Sequence, residues 1–315
     1  MSVGTAPGKV ILFGEHAVVY GRPAIAVPVH DRQATAWVRP TGHRQPGPPG
    51  SGILLQAEDL DRRYPLTAAP ADDALALIVR LTLEALELPL SQNLAVTVRS
   101  AIPIASGLGS GAAVSAAAVR ALAAHFGAQL TPHQVSELVY QTEVLHHGTP
   151  SGIDNTVVAF EQPVYFVKGQ PPEPFRISRP FHLLIGDTGI PSPTKVAVAD
   201  VRRGWEANRA RYDALFDAIG QTTDEARQAI EMGDIAALGP LMDRNQALLR
   251  EIEVSSPELE RLILAAKGAG ALGAKLSGAG RGGNMIALVT QATAERVAAT
   301  VRRARAKDVI ITCVG

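Results

Sequence analysis

The stretch "PGKVILFGEHAVVYG", residues 7–21, places three ionisable residues in an otherwise apolar run with the character of a β-strand. Lys9, Glu15 and His16 stand close together among three glycines. A strand buried in a core is normally a continuous apolar run. The stretch therefore raises the question of what these polar side chains face.

The composition of the chain limits its size class and its partners. The 315 residues, 46% of them hydrophobic, are enough for two domains of about 150 residues, each with a sizeable core. The 30 basic side chains balance the 30 acidic ones, which argues against nucleic acid or an anionic membrane as the main partner. This balance still permits a local basic pocket for a small anion.

The cysteine count and the apolar runs bear on the compartment. Cys313 is the only cysteine, which excludes an intrachain disulfide and fits a reducing compartment. Charged residues interrupt the N-terminal apolar run, so we do not predict a signal peptide. No apolar stretch reaches the roughly 18 residues that cross a bilayer. We expect a soluble, cytoplasmic protein.

Strand and helix patterns alternate without a steady βαβ rhythm, which favours an α+β fold. In the first half, β-branched and alternating patterns predict strands at 9–14, 24–29, 34–40 and 93–100. Apolar periodicity and capping residues predict helices at 72–88, in the alanine-rich stretch ending at Gly127, and from Thr131 as N-cap to 148. The following "TPSGIDNTVVAF", residues 149–160, is predicted to be a loop that enters a strand.

The proline-rich "GQPPEPFRISRP", residues 169–180, is the best candidate for a domain boundary because it lacks periodicity. We therefore divide the chain into domains 1–175 and 176–315. The second half is predicted to contain a strand at 181–189, mostly helix from 194 to 268, a helix at 294–306 and a strand at 308–314.

The glycine-rich "SGLGSGAA", residues 106–113, runs into the alanine-rich helix. Helix amino ends bind anions through unpaired N–H groups, and glycines let the backbone approach a ligand closely. The loop is thus either a phosphate cradle or a tight strand-to-helix turn. It matches neither a Walker A loop nor the dinucleotide fingerprint.

Two acidic residues follow on the chain. Asp154 lies in "GIDN", where an aspartate after glycine is either a turn residue or catalytic, and Glu143 lies on the preceding predicted helix. The third glycine-rich stretch, "LSGAGRGG" at 276–283, is either a hairpin turn or a second backbone wall against a ligand.

Taken together and in order, these stretches resemble the three motifs of the GHMP kinases, the superfamily of galacto-, homoserine, mevalonate and phosphomevalonate kinases. The resemblance covers nearly the whole chain, and "PGKVILFGEHAVVYG" resembles the form of the first motif found in mevalonate kinases. It implies a two-domain α+β GHMP kinase fold with the active site in the cleft between domains. The first strand would edge that site, so its polar residues would face substrate.

The resemblance also implies a role for each site residue. Asp154 would accept the hydroxyl proton as general base, with Lys9 beside it stabilising the developing alkoxide. The residues implied to bind mevalonate are Lys9, Glu15, His16, Asp154, Thr194, Gly278 and Ala279. The residues implied to bind the ATP phosphates are Pro103, Ser106, Gly107, Leu108, Gly109, Ser110, Gly111 and Ala112.

Glu143 would be a ligand of Mg²⁺, a hard cation that takes carboxylates together with nucleotide phosphates. Most relatives have a second serine where this chain has Gly111, and that serine contributes its hydroxyl to the metal. Here either Ser110 or a water would replace it, or the metal would be held more loosely. Arg281 stands where relatives often have glycine, and it either meets a phosphate or points to solvent.

The function implied by the resemblance is an ATP- and Mg²⁺-dependent phosphotransferase acting on the 5-hydroxyl of mevalonate, with a possible homodimer. One alternative is another kinase of the superfamily, acting on phosphomevalonate or a sugar. A phosphorylated substrate needs additional cations, and the first motif offers only Lys9 and Arg22. A ligand sensor without catalysis is a third reading, but such a protein should have lost Lys9 or Asp154.

Overall fold

The computed structural model describes residues 1–42, 50–103, 107–147, 150–192 and 194–315. By its contacts the chain forms two compact units. Unit 1 contains residues 1–8, 32–104 and 109–161, and unit 2 contains residues 9–31, 105–108 and 162–315. Both units thus contain part of the N-terminal segment. The division of the chain at residue 175 stays a prediction.

Unit 1 combines a mixed sheet with helices that pack on one another. The strands in the first half are β1 (Ser2–Phe13), β2 (Ala24–Pro40), β3 (Ile53–Ala57), β4 (Arg62–Pro65) and β5 (Leu94–Ser100). The helices are α1 (Ala74–Ala85), α2 (Ser110–His125), α3 (Pro132–His147) and α4 (Ile153–Phe160). Strand β5 pairs parallel with β3 and antiparallel with the second half of β2. Helix α2 packs against α1, α3 and α4, and its many alanines permit this close approach.

Two predictions for the first half need correction. The predicted strands at 24–29 and 34–40 form one continuous strand, β2, because the polar residues between them do not interrupt the extended backbone. The predicted strand at the end of 149–160 is wrong, since residues 153–160 form helix α4. Val157 and Val158 favour a strand by propensity, but both are buried in this helix, which packs against α2 and α3.

The remaining predicted elements of the first half are confirmed, including the cap of α3. Thr131 Oγ1 accepts from the backbone N–H of Gln134 at 3.3 Å, and Gln134 Oε1 accepts from the backbone N–H of Thr131 at 2.9 Å. This reciprocal arrangement is a capping box. The proline- and glycine-rich "TGHRQPGPPGSG", residues 41–52, predicts a loop after β2, and its residues 43–49 lie outside the described part of the chain.

Unit 2 contains an antiparallel sheet with strand order β11-β8-β10-β9 and helices packed against it. Its strands after residue 161 are β6 (Val164–Phe166), β7 (Glu173–Pro174), β8 (Phe181–Asp187), β9 (Gly273–Ser277), β10 (Asn284–Val289) and β11 (Asp308–Val314). Its helices are α5 (Thr194–Ala207), α6 (Arg209–Met232), α7 (Ile235–Glu251), α8 (Pro257–Gly268) and α9 (Ala294–Arg303). Strands β9 and β10 form a hairpin, so the third glycine-rich stretch is a turn.

The first motif belongs to unit 2 through the end of β1 and the turn that follows. A short 3-10 helix, Ala17–Tyr20, continues from His16 into β2. Tyr20 stacks on Phe216 of α6 with ring centroids 4.2 Å apart. Among the described residues, no helix is both long enough and apolar enough to span a membrane.

Candidate active site

The amino end of α2 has the features of a phosphate-binding helix start. Gly109 is its N-cap in the left-handed conformation, with a φ of 73°, and Gly107 has a φ of 84°. Ala113 donates its N–H to the Gly109 carbonyl at 2.9 Å, so the helical hydrogen bonds begin there. The N–H groups of the preceding residues have no partner within the helix and are available to an anion.

Glu143 lies beside this helix start, within unit 1. Its side chain is buried, and a Cβ placed on Gly111 would stand 3.7 Å from Glu143 Oε1. Gly111 is therefore the position of the first helical turn that faces the carboxylate, and it carries no side chain there. The Ser110 hydroxyl instead lies 3.3 Å from Ser100 Oγ and donates to the Ile102 carbonyl at 3.4 Å.

Asp154 lies in the first turn of α4 and is partly buried. The next residue fixes this turn against α3, because Asn155 Nδ2 donates to Ser136 Oγ at 2.9 Å and to the Ser136 carbonyl at 3.2 Å. Glu143 and Asp154 thus lie on the packed helices α3 and α4 of unit 1.

In unit 2, Lys9 lies on β1 with its side chain buried. Its backbone N–H donates to the Leu108 carbonyl at 2.9 Å, which ties the strand to the end of the glycine-rich loop. A lysine this buried is unusual, since lysines are almost never fully buried unless they are paired.

Glu15 is almost completely buried and forms an ion pair with Lys275 of β9. Its second oxygen, Oε2, accepts from Asn245 Nδ2 of α7 at 3.0 Å. Desolvation lowers the pKa of the Lys275 ammonium from its ordinary value, and the negative charge of Glu15 opposes this shift. Both carboxylate oxygens of Glu15 are therefore held by protein groups.

His16 follows directly and is held by its ring and by its backbone. Its Nε2 lies 3.0 Å from the Ala279 carbonyl oxygen. Because a carbonyl only accepts, the proton is on Nε2, and Nδ1 is left as an acceptor. Burial lowers the pKa of His16 to about 4, against the opposing effect of the Ala279 carbonyl, and the charge of Arg281 lowers it further. The imidazole is neutral at physiological pH.

Alternate residues of β9 and of the third glycine-rich turn contact the first motif. Ser277 Oγ accepts from the Ile11 N–H at 3.1 Å and donates to the Ile11 carbonyl at 2.8 Å. Lys275 and Ala279 hold Glu15 and His16 as described above. Arg281 pairs with Asp200 of α5, which lowers the pKa of that carboxyl. The structure thus gives Arg281 a carboxylate partner, whereas the sequence suggested either a phosphate or solvent.

The remaining predicted site residues are distributed over both units. Thr194 is the exposed first residue of α5. In the loop and first turn before α2, Pro103 is partly buried, while Leu108 and Ala112 are buried. Gly278 is partly buried in the third turn. Ser106 lies outside the described residues.

Sequence reasoning missed Lys275, Asn245 and Ser277. The only local signal is the lysine inside the otherwise apolar "GAKLS" of β9, which resembles the signal that identified Lys9. The sequence around Asn245 gives no such signal, because an asparagine on an amphipathic helix is an ordinary surface residue. The contacts between these residues and the first motif span 230 to 266 positions of sequence.

Comparison with known proteins assigns the chain to a family. Residues 74–162 match the model for the GHMP kinases N terminal domain, and residues 226–307 match the model for the GHMP kinases C terminal. A mevalonate kinase of Thermococcus sibiricus is 34% identical over 312 residues, covering 93% of this chain and 90% of the relative. A mevalonate kinase of Pyrococcus horikoshii is 35% identical over 306 residues, covering 91% and 88%.

The crystal structure of L. major mevalonate kinase in complex with R-mevalonate superposes with a TM-score of 0.84 at 29% identity, covering all of this chain and 96% of that one. The chain therefore belongs to the GHMP kinases. Within that family, the relatives described above are mevalonate kinases.

The cofactor of these kinases is ATP with Mg²⁺, and the residues of unit 1 fit it. The start of α2 offers backbone N–H groups for phosphate oxygens, and the space beside Gly111 is bounded by the Glu143 carboxylate, the hard oxygen ligand that Mg²⁺ prefers. When bound, the magnesium nucleotide supplies the γ-phosphoryl group and the charge that neutralises it.

Proposed function

We propose that this chain is a mevalonate kinase, which transfers the γ-phosphate of ATP to the 5-hydroxyl of (R)-mevalonate and produces 5-phosphomevalonate for isoprenoid biosynthesis. The observation that carries this proposal is the similarity to mevalonate kinases over about nine tenths of both chains. The neutral His16 also offers Nδ1 as an acceptor for a hydroxyl group, and it brings no positive charge that would pair with a phosphorylated substrate.

The proposed reaction gives each residue implied by the family resemblance one role. The start of α2 binds the nucleotide phosphates, Glu143 ligates Mg²⁺, and Asp154 accepts the proton of the attacking hydroxyl. Lys9 stabilises the negative charge that develops in the reaction. Phosphoryl transfer has a loose transition state, so placing the hydroxyl and neutralising charge contribute more than the base itself.

The acceptor specificity can be tested directly by measuring ADP release with Mg·ATP. The panel is mevalonate, phosphomevalonate, homoserine, galactose and no acceptor. We expect turnover with mevalonate alone. Turnover with phosphomevalonate or galactose instead would retain the kinase family and reject the proposed substrate. A folded protein that binds ATP and turns over none of them would favour a ligand sensor.

The role of Asp154 is tested by Asp154→Asn in the same assay. We expect kcat to fall roughly 10²–10⁴-fold, the range for loss of a general base, while ATP binding measured by calorimetry is retained. A variant that turns over at the wild-type rate would remove Asp154 from the proposed mechanism.

We further propose a cytoplasmic homodimer, on the basis of the family resemblance. Sedimentation equilibrium at micromolar concentration tests the assembly, and a monomer mass across the concentration range would reject it. Fractionation of cells that express the chain, followed by immunoblotting, tests the compartment.

A further inference from the structure

The first motif meets β9 and α7 in a buried charge network within unit 2. Lys275 and Glu15 are both fully shielded from solvent at their charged side chains. The Lys275 ammonium also donates to the Leu276 carbonyl at 2.6 Å, and Asn245 donates to the other oxygen of Glu15. Groups from β9 and α7 are thus joined to the turn after β1 through one carboxylate.

Stability alone does not account for such a network. Removing two charges from water costs about as much as their attraction returns, and apolar replacements of buried pairs are often neutral or stabilising. The better attested use of buried polar groups is to fix one arrangement of the chain among several. The relevant question is which arrangement the Glu15 carboxylate fixes.

The arrangement in question is the conformation of His16. Its φ of 61° and ψ of −46° are those of a positive-φ γ-turn, closed by the Ala17 N–H on the Glu15 carbonyl at 2.7 Å, a strained conformation that persists only where surrounding contacts enforce it. Glu15 anchors the residue immediately before it, and Ala279 holds its ring. The Ser277–Ile11 hydrogen bonds fix the strand that leads to it.

We propose that Lys275 and Asn245 are positioning residues of the reaction, which hold Glu15 and thereby fix His16 with its Nδ1 lone pair presented to the acceptor substrate. This proposal rests on the proposed function, which it deepens by giving Glu15 the role of an anchor instead of a substrate ligand. His16 Nδ1 then accepts a hydrogen bond from a hydroxyl group of the substrate, and it does so only in the orientation that the network imposes.

The kinetic test uses three variants. Asn245→Ala removes one donor to Glu15, and the double variant Lys275→Met with Glu15→Gln removes both charges, so that no unpaired charge is left buried. The matched control is Gln246→Ala. Gln246 is the buried neighbour of Asn245 on α7 and bonds the Leu276 N–H at 2.9 Å, but its hydrogen bonds go to groups other than Glu15.

We expect Asn245→Ala and the double variant to raise KM for mevalonate roughly tenfold to a hundredfold, with KM for ATP within twofold of wild type. The control should lose thermal stability but keep the wild-type KM for mevalonate. Thermal unfolding of each variant separates the two effects. A double variant that folds with wild-type KM for mevalonate would overturn the proposal.

A second readout does not depend on the substrate. Nitrogen-15 NMR of histidine-labelled protein reports which ring nitrogen of His16 carries the proton. We expect a single Nε2–H tautomer in the wild type and in Gln246→Ala, and a mixture of tautomers in both network variants. A wild-type His16 spectrum in the network variants would overturn the proposal even if mevalonate proves not to be the substrate. A failed acceptor assay with the expected spectra would reject only the proposed function.

Discussion

The two glycine-rich turns are similar in sequence but opposite in their surroundings. Before α2, among the described residues, a Cβ on Gly107 would meet its nearest neighbour at 4.0 Å, and one on Gly111 at 3.7 Å. In the turn between β9 and β10, a Cβ on Gly280 would lie 2.0 Å from the Val254 carbonyl oxygen, and one on Gly282 would lie 2.7 Å from the Ile190 carbonyl oxygen.

The difference shows that glycine serves two purposes in this protein. Before α2 it keeps space open beside backbone N–H groups, as a ligand requires. In the third turn, glycine lets the chain pack against its own backbone. This turn also supports the first motif. Gly278 is the exception within that turn, because the space around it is open. Glycine content by itself therefore does not identify a phosphate site.

The largest expected effect is that of Gly280→Ala. The added methyl group would collide with the Val254 carbonyl, which also accepts the Arg281 N–H at 2.7 Å, and the φ of 75° adds backbone strain. We expect the free energy of unfolding to fall by roughly 3 kcal/mol or more, measured by urea denaturation. Gly278→Ala, with a φ of 92° and open space, is the matched control and should cost only the backbone strain. Equal losses in the two variants would contradict the distinction between open and crowded glycines.

The second prediction concerns the support that the third turn gives to His16. Its folded pKa is about 4, against 6.5 for an ordinary histidine. Between these values the unfolded chain binds a proton that the folded protein does not, so lowering the pH through this window weakens folding by about 1.4 kcal/mol per unit. The stabilisation is complete above pH 6.5 and is lost by about pH 4.

His16→Asn is a suitable comparison, because asparagine, like histidine, is enriched among the non-glycine residues at positive φ and does not titrate. Relative to this variant, we expect the wild type to gain about 2 kcal/mol in free energy of unfolding between pH 5 and pH 7.5. The measurement is urea denaturation at both pH values. A difference that is independent of pH would show that His16 titrates normally and is not held as described.

Gly107→Ala tests the open loop. The φ of 84° disfavours alanine, so we expect a loss of about 1 kcal/mol in stability, without the additional cost of a collision. If the loop lies against a ligand, KM for ATP should rise by more than the loss of stability can explain. An unchanged KM for ATP would argue that this loop is only a strand-to-helix turn.

The smallest expected effect on stability is that of Gly111→Ser. The side chain would enter space at an ordinary contact distance from Glu143 Oε1, and serine is a slightly better helix residue than glycine. We expect stability to change by less than about 1 kcal/mol, while half-maximal activity is reached at a lower Mg²⁺ concentration. Gly111→Ala, which adds the carbon without the hydroxyl, separates the two effects. Equal Mg²⁺ dependence in both variants would mean that the metal already has another ligand in place of the serine hydroxyl.

Local patterns predicted most elements of this fold, and their failures have a common physical cause. Helix α4 was mistaken for a strand because the valines of "NTVVAF" favour extended backbone, whereas packing on α3 decides its conformation. The role of Glu15 could not be read from its neighbours, since its partners are Asn245 and Lys275, at the other end of the sequence. Motif order identified the family, but the contacts that hold the motifs together require three-dimensional structure.

The assignment of residues 9–31 to unit 2 has a consequence for synthesis on the ribosome. This segment is made before the rest of unit 2, yet its partners include Lys275, Ser277 and Thr312, the last of which bonds Asp31. Its apolar strand must therefore wait, without these neighbours, until residue 312 has emerged. Strands in this state are prone to aggregate. Production of the protein should consequently depend on chaperones that cover this segment during translation more than on the stability of the finished molecule.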